Sequence, residues 1–106
     1  MKILTGILII LFMFAFNANA NESQNLKAAD RANAMSKKAS KCYYSVPKNQ
    51  NYAVKVHYDA GAKNMRYAFD IMKSNPNHNL RSMFESVISS FEYAIAAGKQ
   101  AGGTSC

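Results

Sequence analysis

The sequence predicts an all-α fold, a small up-down-up three-helix bundle with one disulfide tying the C-terminal tail to the helix 1–2 corner. Three observations predict this fold: three segments carry apolar residues at helical spacing, short turn-rich segments separate them, and the chain has two cysteines. Consecutive helices with short connections pack as neighbours in alternating directions. We expect helices at about 24–43, 52–73 and 80–97, in a single helical domain over 21–106.

Residues 1–20 are predicted to be a cleaved signal peptide. Lys2 gives a positive start, Ile3 to Phe16 is almost entirely apolar, and Ala18-Asn19-Ala20 offers small residues for cleavage after Ala20. The alternative is an uncleaved anchor, but the run falls short of the ~20 apolar residues that span a bilayer. We therefore expect a periplasmic or secreted protein with no transmembrane segment after cleavage.

The first helix is predicted from a stripe of mostly small residues. The stripe recurs at steps of four and three and consists of Ala28, Ala32, Met35, Ala39 and Cys42. Ser23 is the expected N-cap. Pro47 favours a loop after Tyr44.

The second segment is ambiguous between helix and strand. Tyr52 to Tyr58 alternates like a strand, whereas a longer window shows a helical face that consists of Val54, Tyr58, Gly61, Met65, Ala68, Phe69 and Met72. Opposite charges four residues apart, such as Lys55 with Asp59, would support a solvated helix face. We favour a helix.

The third segment has the clearest helical pattern. Its apolar positions are Leu80, Met83, Phe84, Val87, Ile88, Phe91, Ala94 and Ile95. Asn77 or Asn79 can cap its start. Gly102-Gly103 ends any continuation.

The two cysteines are predicted to bond to each other. In an up-down-up bundle the third helix returns to the end where the first helix stops, so Cys106 arrives beside Cys42. An intermolecular bridge and two free thiols are the alternatives. His57 and His78 add no ligand spacing, so we expect no metal site.

Charge points to anionic partners. The chain has 13 Lys and Arg against six Asp and Glu; loss of Lys2 with the signal peptide would leave a net charge of +6. An acidic protein partner is expected, with an anionic envelope component as the alternative. We expect no nucleic acid partner, because an exported protein rarely meets one. Solubility alone would also explain the basic surface.

The sequence contains no motif for catalysis. Neither histidine lies in a pattern with a nucleophile, and the carboxylates Glu85 and Glu92 fit a solvated helix face. The expectation is a protein that is not an enzyme and that uses no cofactor.

Aromatic and basic residues cluster around the Pro47 loop, which makes this end the predicted partner-binding site. Its residues are Tyr43, Tyr44, Lys48 and Tyr52. Two other interpretations remain. The tyrosines could complete a core poor in Phe and Leu, and the exposed side of helix one, with Lys27, Arg31 and Lys38, is the alternative site.

Export, small size, basic charge and tyrosine content together favour a protein-binding module. The leading hypothesis is an inhibitor or immunity-type protein that occludes an exported toxin or an envelope-active enzyme. The alternatives are a secreted cationic effector acting on the cell envelope or anionic lipid, and a periplasmic chaperone or stress protein.

Overall fold

A computed structural model confirms the predicted all-α bundle. It describes the backbone of residues 2–106 and the side chains of residues 21–106. Helix α1 spans Lys2–Ser45, α2 spans Tyr52–Ser74 and α3 spans Arg81–Gln100, with a short 3-10 helix at Lys48–Gln50 between α1 and α2. The described residues contain no β-strand.

Helix α1 begins well before the predicted start near residue 24. No proline or glycine interrupts the chain between Asn17 and Ser23, so the helix continues and Ser23 is an interior residue rather than an N-cap. The proposed signal peptide lies outside the residues whose side chains are described. None of the helices in the described part of the chain has a stretch long and apolar enough to cross a membrane.

The core forms where α3 packs against both α1 and α2, which contact each other less extensively. Helix α3 and its N-cap residue Leu80 contribute the large buried side chains, which on the helix itself are Phe84, Val87 and Phe91. Helix α1 contributes buried alanines, Ala28, Ala29, Ala32 and Ala39. Small side chains on α1 let its backbone approach the bulky face of α3, as the alanine stripe predicts.

Helix α2 resolves the ambiguity at Tyr52 to Tyr58 in favour of helix. Val54, Gly61 and Ala68 are its buried residues, and all three belong to the predicted helical face. Gly61 is required for packing, because a Cβ atom there would lie 2.8 Å from the Phe91 ring. The alternation of large residues from Tyr52 to Tyr58 does not reflect a strand. Tyr52 and Val56 are exposed on the outer side of the helix, while Val54 is buried.

The connection between α2 and α3 is held by a buried polar residue of α1. Asn25 is 1% exposed; its side-chain amide donates to the carbonyl oxygens of Pro76 (2.9 Å) and His78 (2.6 Å). Its Oδ1 accepts a hydrogen bond from the Leu80 N–H at 3.1 Å. Asn25 thus fixes the turn and satisfies a backbone donor at the start of α3. Leu80 occupies the N-cap position of α3 and makes no side-chain capping bond, so the prediction that Asn77 or Asn79 is the cap is wrong. Asn79, one residue earlier, accepts from the Arg81 N–H at 3.1 Å and orders the approach to the helix.

The charged stripe of α2 forms no close ion pairs. Within the described residues, Arg81 and Glu85 of α3 make the only ion pair shorter than 4.0 Å. Lys55 and Asp59 therefore extend into solvent, because an exposed pair gains too little energy to hold two long side chains together.

Candidate functional site

The end of the bundle that contains the Pro47 loop is anchored by a buried disulfide. Cys42, which is fully buried, bonds to Cys106 and closes a separation of 64 residues, as the topology predicts. The cysteines of the described chain therefore include no free thiol. A Cβ atom at Gly98 would overlap both sulfur atoms, so α3 needs a glycine where the disulfide crosses it.

The C-terminal tail is also held by the last residue of α1. The Ser45 hydroxyl donates to the Cys42 carbonyl at 2.7 Å and accepts from the Ser105 N–H at 3.0 Å. Gly102 has φ +86°, and the Gly103 N–H bonds back to the Gly98 carbonyl at 2.8 Å. This Schellman arrangement ends α3 and turns the tail toward Ser45.

Three of the four predicted partner-binding residues line one cavity at this end. The cavity has a volume of about 320 Å³, and its walls are Tyr43, Tyr44, Val46, Lys48 and Asn51. Tyr52 is 80% exposed and does not line the cavity, since it starts α2 beyond the loop. Val46 and Asn51 also line the cavity and were not predicted from the sequence. Val46 could have been noticed, because it is an apolar residue in an otherwise polar loop.

The aromatic wall of the cavity is continuous with the core. The half-buried ring of Tyr43 lies 5.4 Å from that of Tyr58, which in turn lies 5.8 Å from the Phe91 ring. Tyr43 is thereby held in place by packing.

Tyr44 is the exposed part of the same wall. Its ring meets Tyr43 edge to face at 5.3 Å, yet 78% of the residue is exposed to solvent. A large aromatic side chain is therefore presented to solvent beside a fixed ring and a lysine. Such an arrangement can bury an apolar group of a partner while Lys48 pairs with a carboxylate.

The two histidines of the described chain lie apart from this cavity. The described residues contain no group of three or more His, Cys, Asp or Glu side chains that could hold a metal ion. His57 stacks on Tyr93 at 5.7 Å, and the His78 backbone carbonyl accepts from Asn25.

Comparison with known protein families, with curated proteins and with solved structures finds no match to this chain.

Proposed function

We propose that this chain is a small exported binding module, of the inhibitor or immunity kind, that occludes an acidic protein through the aromatic cavity. The observation that carries the proposal is the cavity of about 320 Å³ at the disulfide-anchored end, with Tyr44 exposed at its wall. Aromatic side chains around a pocket are the usual anchors of protein interfaces.

The chemistry of the cavity defines the partner. Tyr43, Tyr44 and Val46 suit an apolar or aromatic side chain, and Lys48 suits a neighbouring carboxylate. The basic net charge, +7 for the full sequence and +6 once Lys2 is removed with the proposed signal peptide, favours encounter with an acidic surface and faster association. The preferred partner therefore presents an apolar side chain surrounded by Asp and Glu.

The way the cavity is built supports tight binding. The disulfide, the Ser45 contacts and the Tyr43 stacking fix most of the wall before a partner arrives. Preorganisation lowers the entropy lost on association. A disulfide also suits an oxidising compartment and is compatible with the proposed export.

Site-specific photo-crosslinking in the native envelope tests the proposal. A photoreactive phenylalanine analogue at position 44 should give one dominant protein adduct, identified by mass spectrometry. The same analogue at Tyr67, which is 61% exposed on α2, is the matched control and should not give that adduct. Identical adducts from both positions, or none from position 44, would contradict the proposal.

Binding kinetics with the captured protein then test the roles of the two residue types. Tyr44→Ala should speed dissociation by tenfold or more, and Tyr67→Ala should leave it unchanged. Lys48→Glu should slow association and weaken its salt dependence, whereas Lys73→Glu, in the last turn of α2, should do so less.

Inhibition distinguishes the immunity role from the alternatives. If the captured protein is a toxin or an envelope-active enzyme, stoichiometric addition of this chain should abolish its activity. If the purified chain alone permeabilises lipid vesicles that contain no protein, the cationic effector is favoured. Protection of many unrelated proteins from aggregation would favour the chaperone.

A further inference from the structure

A second cavity lies at the opposite end of the bundle. It has a volume of about 210 Å³ and is lined by Gln24, Lys27, Ala28 and Arg31 of α1 and by Arg81 of α3. Lys27 and Tyr44 are 17 positions apart on one helix, a distance of roughly 25 Å at 1.5 Å per residue. The two cavities are therefore separate sites.

The charges around this cavity are unbalanced. Three of its five lining residues are basic, and they come from two different helices. Arg81 contacts Glu85, with 3.4 Å between Nε and Oε1, but Lys27 and Arg31 have no carboxylate within 4.0 Å among the described residues. Asp30 is adjacent to Arg31 in sequence and does not line the cavity. Cationic side chains around one concavity repel one another, and a bound anion relieves that repulsion.

We propose that this cavity binds a phosphate ester that carries free hydroxyl groups, such as a phosphorylated glycerol unit. Two arginines can each donate paired hydrogen bonds to phosphate oxygens, and Lys27 adds a point charge. The Gln24 amide can both donate to and accept from a hydroxyl. At about 30 Å³ per water, the cavity has room for roughly seven waters, more than a single inorganic phosphate displaces.

Glu85 acts as an internal competitor for Arg81. The ion pair is exposed, with side-chain accessibilities of 68% for Arg81 and 54% for Glu85, so its opening costs little. A phosphate ester can replace the carboxylate on the Arg81 guanidinium. The position of Arg81 as the first residue of α3 further favours an anion there.

Isothermal titration of the purified protein with glycerol 3-phosphate, at fixed ionic strength, tests the site. Arg31→Gln should weaken binding by about tenfold or more, because a charge-assisted hydrogen-bond pair is lost. Lys37→Gln removes the same charge at an exposed position six residues further along α1, outside the cavity, and should change affinity less than twofold. Equal losses in both variants, or no binding at millimolar ligand, would overturn the proposal.

Substitution of Glu85, which competes with the ligand for Arg81, should raise the affinity rather than lower it. Glu85→Gln should strengthen binding several-fold, whereas Glu92→Gln, one heptad further along α3, should change it less than twofold. Inorganic phosphate should bind about threefold more weakly than glycerol 3-phosphate, since it lacks the group that Gln24 contacts. Equal effects of the two glutamate variants would mean that only net charge matters and would overturn the site.

Vesicles distinguish a lipid headgroup from a soluble ester. If phosphatidylglycerol vesicles bind and glycerol 3-phosphate displaces them, the headgroup is the source and the site is supported. If only the soluble ester binds, the site is supported with a soluble ligand. Vesicle binding that is insensitive both to the ester and to Arg31→Gln would overturn the proposal. Tyr44→Ala should leave all of these results unchanged, so failure here is separable from failure at the aromatic cavity.

Discussion

Asn25 stabilises the bundle through contacts with backbone atoms that are distant in sequence. Its amide makes three hydrogen bonds across the bundle, all to backbone atoms more than 50 positions away. Its position beside Ala28 and Ala29 on the buried face of α1 is visible in the sequence, but its acceptors and donor are not. Backbone partners carry no sequence signature, so no pattern could have identified this contact.

Replacement of Asn25 by alanine should lower the free energy of unfolding by about 3 kcal/mol. The substitution leaves the Leu80 N–H and the Pro76 and His78 carbonyls without their partner, and an unsatisfied buried polar group costs about 1–3 kcal/mol. Urea denaturation followed by far-UV circular dichroism measures the change. Asn33→Ala, at an exposed position of the same helix, is the control and should shift stability by less than about 0.5 kcal/mol. Equal stabilities would show that water replaces the amide.

At the scale of helices, the apolar stripes predict the fold well because each helix packs one face. Five of the six buried residues of α3 lie on its predicted face. The sixth, Gly98, is buried because the disulfide packs against it. The start of α1 was not predicted, because an N-cap residue indicates where a helix can begin and does not stop one that already runs. The opposite charges of α2 lie on an exposed helix face, as predicted, but among the described residues none of them forms a pair within 4.0 Å, since spacing alone does not close an exposed pair.

Phe91 should be the most sensitive single position of α3. It is fully buried, contacts the Tyr58 ring and leaves space only for glycine at position 61. Phe91→Asp buries a carboxylate without a partner, which costs several kcal/mol against the 5–15 kcal/mol that stabilises a typical domain. Thermal denaturation should show loss of the cooperative transition.

Tyr93→Asp is the matched control for this substitution. Tyr93 lies two positions away on the same helix and is 64% exposed, so the new carboxylate stays hydrated. The variant should melt within a few degrees of the wild type. Cooperative melting of Phe91→Asp at the wild-type temperature would instead mean that α3 does not pack as described.

For the whole molecule, the disulfide couples stability to the proposed binding site. It joins residues 64 positions apart, and Cys106 and the cavity residue Val46 pack around the same two glycines, Gly98 and Gly103. The cavity itself could be predicted only in part. Tyr43, Tyr44 and Lys48 are close in sequence, whereas Asn51 joins them through the path of the loop.

Loss of the disulfide should lower the free energy of unfolding by about 4 kcal/mol in the chain-entropy model. The Cys42→Ala, Cys106→Ala double variant removes it without leaving thiols. Denaturation compares the two proteins, and intact mass with and without reductant verifies the bond in the wild type. Two alkylatable thiols in the native protein, or unchanged stability in the variant, would contradict the expectation. The tail should also become protease-sensitive, because beyond Gly103 only the Ser105–Ser45 hydrogen bond then ties it to α1.

The location of Asn25 would limit how far the chain could be trimmed after the predicted cleavage at Ala20. An aminopeptidase could remove Asn21 to Gln24, all of which are exposed, without touching the contacts of the bundle core. Removal of one further residue would release the α2–α3 turn and the start of α3 together. If cleavage after Ala20 makes residue 21 the N-terminus, trimming there has a threshold: hydrolysis of the Asn25–Leu26 bond removes the three hydrogen bonds that hold the α2–α3 turn.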